Sequence, residues 1–464
     1  MPAACACELI HLCAQSNIDT ILVGKALNGP AEVSACDDAA KSPAAVRLFR
    51  VSASGDTQHA WARPQLDVSA GAWKSWQKPN STACALFSAT CWFAARDWFK
   101  QLGGQVPVGV IMSAAGGTAV RNWAPMEALA QCPQPYNSPH PYGIGPYEQS
   151  RLYNGMIAPF GTGPTRLSFV IWDQAESDSY PQTPRGYYGC QTVAQINGWR
   201  RVLQRTGSAK AGVLPWVFVA LQPYTGSDGT RNPQEKTCGV NTLAWLRADQ
   251  LQALQLDKVG YANAVDLGDP TSPYGNVHFQ NKQEITRRLV GAATVLLDPT
   301  KRSKSGAAAY PPPRVFNQTR LPTTGGSIGV VVQLLTMGYG APSKPSLALG
   351  ATPDALQPGT TASSAVCPAC LKPPCKQLVP AANCSNFELL GSDMVWRKAA
   401  ATLVGVDSVR LVAGGVSNSS TYAVGSRYAW SAWPLATLFS ANEDGTQNLP
   451  ILPWSYGTIA MPPK

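Results

Sequence analysis

The chain has 464 residues, 45% of them apolar and 14% charged, with 14 tryptophans, which is a folding composition and too long for one compact core. Its formal charge of +10 reflects 27 acidic against 37 basic residues, and the densest basic run is only Lys301-Arg302-Ser303-Lys304. Without a clustered basic face no nucleic-acid partner is expected, and no apolar run approaches the roughly 20 residues of a membrane span.

In chain order, the first predicted element is the apolar run Leu9 to Cys13, which stops abruptly in Ala14-Gln15-Ser16-Asn17. Ser16 is therefore either a turn serine or a nucleophile presented at a strand end. Residues 85–102 carry Phe, Trp and Leu at helical spacing, and Val106 to Gly117 reads as a buried strand running into a glycine turn. Further strands are expected within Arg166–Asp178 and Val213–Pro223, a helix over 242–256, and an amphipathic helix just after His278. Near-continuous apolar strands alternating with helices predict an α/β fold with a parallel sheet flanked by helices. From residue 301 the chain turns to Pro/Gly-rich linkers and short β-like runs such as Ser327 to Leu335 and Asp407 to Val416. The expected organisation is a domain over 1–300 followed by a β-rich, sandwich-like domain over 301–464, with a Cys/Pro-rich loop near 350–385.

Thirteen cysteines suit an oxidising compartment. Cys367, Cys370, Cys375 and Cys384 contain one C-x-x-C, which could serve zinc, but no second pair and no histidine follow, so disulfides are favoured. Asn-x-Ser/Thr sequons at Asn80, Asn317, Asn383 and Asn418 agree with export. The start of the chain carries no signal-peptide pattern, so either export is encoded upstream or the protein is not exported.

In an open parallel sheet, ligands gather at the carboxyl ends of the strands. Three such ends here carry Ser16-Asn17, Gly116-Gly117-Thr118 and Gln174-Ala175-Glu176, and a fourth element carries His278, one of only four histidines. Ester hydrolysis needs a hydroxyl nucleophile, an imidazole base and donors aimed at a developing oxyanion. These blocks resemble the sialate O-acetylesterases, a family of SGNH-type carbohydrate esterases with "GQSN", "GGTP-x-xxW", "W-x-QGES" and "HPR-x-KQ-x-x-x-RL" blocks. The chain has "AQSN" at Ala14, "GGTAVRNW" at Gly116, "WDQAESD" at Trp172 and "HFQNKQEITRRL" at His278, in the same order.

The resemblance implies an SGNH-hydrolase-like fold, an O-acetylated carbohydrate substrate, no metal or cofactor, and a secreted or lysosomal location. It implies Ser16 as nucleophile, His278 as general base, and an oxyanion hole from the backbone of Ser16, Gly116 and Gly117 with the Gln174 side chain. Glu176 is implied as a buried hydrogen-bonding partner. Three departures stand out. Ala14 and Ala175 replace motif glycines, and Gly275 and Asn276 stand where an acid is usual before the histidine. Asp266 or Asp269 could supply that acid, a Ser–His pair could suffice, or Asn276→Asp could raise the rate. The family's β-rich segment before the first block is also absent ahead of Ala14, which suggests a shortened N-terminus. Competing readings are an acetylxylan-type polysaccharide deacetylase and a catalytically impaired glycan-binding homologue.

Overall fold

The computed structural model describes residues 8–14, 16–39, 46–51, 75–132, 149–162, 167–179, 186–204, 213–224, 242–269, 272–301, 314–335, 347–349, 387–430, 434, 438–441 and 447–457. The Cys367–Cys384 cluster and the Asn383 sequon lie outside them. Two compact units result: the first comprises 1–221, 249–262 and 272–299, and the second 222–248, 263–271 and 300–464.

The first unit is built on β1 (Glu8–Ala14), α1 (Ser16–Asp19), α2 (Gly29–Ala39), β2 (Arg47–Arg50), α3 (Ser81–Ala85), α4 (Ala89–Gln101), β3 (Val108–Ala114), α5 (Met126–Leu129), β4 (Phe169–Asp173), α6 (Tyr187–Gln204), β5 (Trp216–Ala220), α7 (Thr242–Gln250), β6 (Val259–Asn263) and α8 (Lys282–Leu297). Of these, most of α7 (242–248) and Asn263 of β6 belong to the second unit. The strands form one sheet in the order β2-β3-β1-β4-β5-β6. The pairs β2·β3, β3·β1, β1·β4 and β4·β5 are all parallel. Every residue of β3, β4 and β5 is buried, as a sheet covered on both faces requires. The chain runs outward from β1 to one side and then crosses to β4 on the other. The carboxyl end of β1 is thus the point where strand order reverses, the place where open α/β sheets bind ligands.

Local signals explain the covering helices. Ser88 Oγ accepts the Cys91 N–H at 3.4 Å to start α4, and Asn281 Oδ1 accepts the Glu284 N–H at 3.3 Å to start α8. Glu284 then pairs with Arg287 and Arg288 one turn on, both at 2.7 Å. On one side of the sheet the buried Trp172 ring lies 5.7 Å from Trp123, 5.9 Å from Trp199 and 6.0 Å from Trp216, the first two edge-to-face, an arrangement that aromatic quadrupoles favour. Trp123 and Trp172 are the tryptophans of two of the sequence blocks, so one aromatic stack sets the spacing of those blocks. Disulfides Cys36–Cys84 and Cys132–Cys190 join α2 to α3 and the end of α5 to α6.

The second unit contains β7 (Arg314–Thr324), β8 (Ser327–Leu335), β9 (Leu347–Leu349), β10 (Phe387–Gly391), β11 (Trp396–Lys398), β12 (Ala400–Val404), β13 (Ser408–Ala413), β14 (Ala423–Tyr428), β15 (Leu438–Ala441), β16 (Gln447–Pro450) and β17 (Trp454–Tyr456). They form antiparallel sheets β12-β13-β8-β7, β11-β10-β14-β17 and β16-β15-β9. Val330, Val332 and Leu411 from the first share one apolar core with Leu389, Tyr428 and Trp454 from the second, so this unit is a β-sandwich.

Candidate active site

Ser16 opens α1, two residues after β1 ends at Ala14. Ala14 is still strand, in register with Ala114 of β3 and Asp173 of β4. At the second replaced glycine, Ala175 has φ 163°, outside the left-handed range that favours glycine. Neither alanine therefore demands the left-handed backbone that would have made its methyl costly.

The glycine turn follows β3. Gly117 has φ +71°, the left-handed conformation that only glycine takes freely. The rest of the turn is bolted down. Thr118 Oγ1 donates to Ala115 O at 2.8 Å and accepts Trp123 Nε1 at 3.0 Å. Asn122 Oδ1 accepts the Ala119 N–H at 2.9 Å, and Asp178 Oδ2 accepts the Val120 N–H at 2.9 Å. Gln174, fully buried after β4, donates through Nε2 to Thr118 O at 3.0 Å and to Asp178 Oδ2 at 2.6 Å. Those two acceptors account for both hydrogens of the amide. Tyr188 Oη, from α6, lies 3.0 and 3.1 Å from the main-chain and side-chain oxygens of Gln174. Gln174 thus braces the turn from behind. Gly116 is solvent-exposed at the front, and its backbone N–H is near the carboxyl of Asp19, which meets Arg50 at 3.4 Å. Burial raises the Asp19 pKa, against the pull of Arg50 and the Gly116 N–H.

His278 sits in a tight turn before α8. Gly275, at φ +87°, returns the chain so that the His278 N–H reaches Gly275 O at 2.8 Å. Ser272 Oγ closes the turn on His278 O at 2.6 Å. The ring nitrogen Nδ1 is 2.7 Å from Tyr274 O. A carbonyl only accepts, so Nδ1 carries a proton, and in the neutral ring Nε2 then presents the lone pair. A backbone carbonyl therefore fills the orienting position for which the sequence offers no acid. An aspartate at position 275 would have to adopt the left-handed backbone, and Asn276 is buried. Asp266, buried, and Asp269, half-buried, belong to the second unit.

The serine and histidine loops are tied together by the residue after Ser16. Asn17 Nδ2 donates to Val277 O, just before His278, at 3.0 Å, and also to Glu176 Oε1. Glu176 Oε2 accepts the Ala175 N–H at 3.1 Å. Lys282 Nζ, fully buried, donates to Asn17 Oδ1 at 2.7 Å and sits 3.5 Å over the Phe279 ring. Sequence reading singled out neither Lys282, Tyr274, Asp178 nor Asp19. The only signal for Lys282 was its place in a quoted block, four residues after the histidine.

Two carboxyls near the site are strongly perturbed. Burial pushes Asp173 up to about 7, against the attraction of Lys282 and with Glu176 adding repulsion. Among the described residues, neither Asp173 oxygen has a hydrogen-bond partner. Burial likewise pushes Asp178 up to about 6, although Gln174, Arg121 and the Val120 N–H favour its charged form. A carboxyl whose folded pKa is raised holds its proton longer in the native state than in the unfolded chain. The stability it contributes is complete below about pH 4 and is lost as pH rises through the folded value. Wild-type melting temperature should therefore carry a component that falls between pH 4 and 7. Asp173→Asn should remove the part extending to pH 7 and melt higher than wild type at pH 8. Parallel melting curves for the two proteins across pH 4–8 would show that Asp173 is not the source.

A central parallel strand delivering Ser16, a glycine turn beside it and a histidine turn bonded to the serine loop define an SGNH-hydrolase-like α/β fold. Residues 15–290 match the family described as carbohydrate esterase, sialic acid-specific acetylesterase, and the chain belongs to that family. It is 30% identical over 225 residues to the sialate O-acetylesterase of Homo sapiens, covering 46% of this chain and 41% of that protein. It is 26% identical over 325 residues to that of Mus musculus, covering 62% and 56%. The chain thus spans about half the length of the curated relatives it matches. A carbohydrate acetylesterase from Xanthomonas citri has a similar fold, with a TM-score of 0.67 at 22% identity over 97% of this chain and 80% of that one.

Proposed function

We propose that the protein is a carbohydrate O-acetylesterase working through a Ser16–His278 pair. The observation that carries this reading is the 2.7 Å contact from His278 Nδ1 to Tyr274 O. It fixes the tautomer in which Nε2 is a base, in a turn bonded to the residue after Ser16. Ser16 Oγ attacks the acetyl carbonyl while His278 Nε2 takes its proton. The oxyanion forms against the backbone N–H groups of Ser16 and the Gly116–Gly117 turn. Gln174 acts as the prop of this turn rather than as a direct donor. Collapse expels the sugar oxygen, which receives the proton from His278, and water then releases acetate from Ser16 by the reverse sequence. Glu176 holds Asn17 and moves no proton.

An acetylated sialic acid is the substrate that the family membership favours, and acetylxylan is the alternative. Acetate release from each, measured side by side, decides. Release from neither, with no hydrolysis of an aryl acetate, would leave the glycan-binding homologue. The Cys36–Cys84 and Cys132–Cys190 disulfides support an oxidising, secreted or lysosomal setting. The exposed sequon residues Asn80, Asn317 and Asn418 support N-glycosylation there. In each, Oδ1 is bonded to nearby backbone, at 2.7, 2.8 and 2.9 Å, which leaves Nδ2 as the atom for the glycan. Loss of mass on glycosidase treatment checks it.

A further inference from the structure

We propose that Lys282 is a positioning residue for the Ser16–His278 pair, acting through the side chain of Asn17. The proposal rests on the esterase reading and adds a residue to it.

Asn17 is fully buried, and its amide could face either way. An ammonium only donates, so Lys282 Nζ at 2.7 Å from Oδ1 decides the orientation. With Oδ1 held by Lys282, Nδ2 must face the opposite side, where its two hydrogens meet Glu176 Oε1 and Val277 O. One amide thereby joins three loops: the one after β1 that carries Ser16, the one after β4 that carries Glu176, and the turn that carries His278. If the amide turned over, its NH2 would face the ammonium and its oxygen would face a carboxylate and a carbonyl. Both loop contacts would then be lost.

The energetics argue that this lysine is not there for stability. Taking an ammonium out of water costs several kcal/mol, and buried ions are often matched or bettered by apolar residues of like size. Lys282 is completely buried, and Asp173 lies near enough to attract its charge. A residue retained under these conditions is better explained by the orientation it imposes. Misplacing a catalytic group by about 1 Å can cost on the order of 100-fold in rate.

The test uses the full chain and an aryl acetate. Lys282→Met should lower kcat on the order of 100-fold with little change in KM, while the circular dichroism spectrum stays native. Asn17→Asp is isosteric but brings a second carboxylate against Glu176. It should be nearly inactive at neutral pH and recover as pH falls, when one proton shared with Glu176 restores the hydrogen bond. A packing role predicts neither the unchanged KM nor that pH-dependent recovery. Unchanged kcat in Lys282→Met, or an Asn17→Asp profile parallel to wild type, overturns the proposal. If Lys282→Met does not fold, Asn17→Asp carries the test. If wild type itself has no turnover, the esterase reading fails separately. The positioning role is then read from the His278 ring signals in NMR, which Lys282→Met must shift and which, if unmoved, overturn it.

Discussion

Ser16→Ala is expected to lower kcat/KM for an aryl acetate by a factor on the order of 10⁴ or more, with no change in melting temperature. Deleting a nucleophile in a serine hydrolase has effects of that size because the remaining site offers only binding and oxyanion stabilisation. His278→Ala should cost about as much, and the double variant no more than either alone, since the two side chains act as one unit. Hydrolysis unchanged in Ser16→Ala would end the esterase reading. The same geometry reverses an expectation drawn from the sequence. Asn276→Asp looked able to restore a missing acid, but Tyr274 O already holds His278 Nδ1 at 2.7 Å. Asn276 is also buried, so the substitution would place a charge where water is excluded. No gain in rate is now expected from it, together with a lower melting temperature. A rate increase would mean that a carboxylate can displace the carbonyl.

Asp178→Ala should lower kcat on the order of 100- to 1,000-fold, the effect associated with losing one oxyanion donor, about 3–4 kcal/mol. Asp178 touches no substrate in this scheme. Its Oδ2 accepts both the Val120 N–H at 2.9 Å and Gln174 Nε2 at 2.6 Å, so removing it frees the far end of the glycine turn and the amide that braces Thr118. The Val120 N–H would lose its acceptor, at about 1–3 kcal/mol, and Gln174 Nε2 would keep only Thr118 O. A lower melting temperature should accompany the loss of rate. Because Gln174 bonds only to Thr118 and Asp178 through its NH2, Gln174→Ala should resemble Asp178→Ala rather than a direct donor deletion. Kinetics and melts of both variants check this. An intact kcat in Asp178→Ala would mean that the glycine turn is held well enough without it.

The groups on which the proposed chemistry rests are largely legible in the sequence, because strand ends and glycine turns are local features. The apolar run into Ser16, the turn at Gly116–Gly117, the Trp172-Asp173-Gln174 strand end and the histidine before an amphipathic helix are each legible within a dozen residues. Hydrophobic periodicity likewise separates the helix-flanked parallel sheet from the antiparallel strands beyond residue 301. Strand order is not local. That β1 lies between β3 and β4, with Ser16 just past the point of reversal, depends on pairings between segments far apart in sequence.

The departures from the family pattern were also beyond the sequence, because their cost depends on backbone conformation. Ala175 was a liability only if its φ were left-handed, and at 163° it is not. The missing acid was a defect only if a side chain had to hold His278, and a main-chain carbonyl has no sequence signature. Lys282 and Asn17 are 265 positions apart, and no spacing rule would join them. Residue types determined which groups could do chemistry here. The tertiary structure decided which of them are held, by what, and in which protonation state, because burial and hydrogen-bond direction exist only once the loops have met.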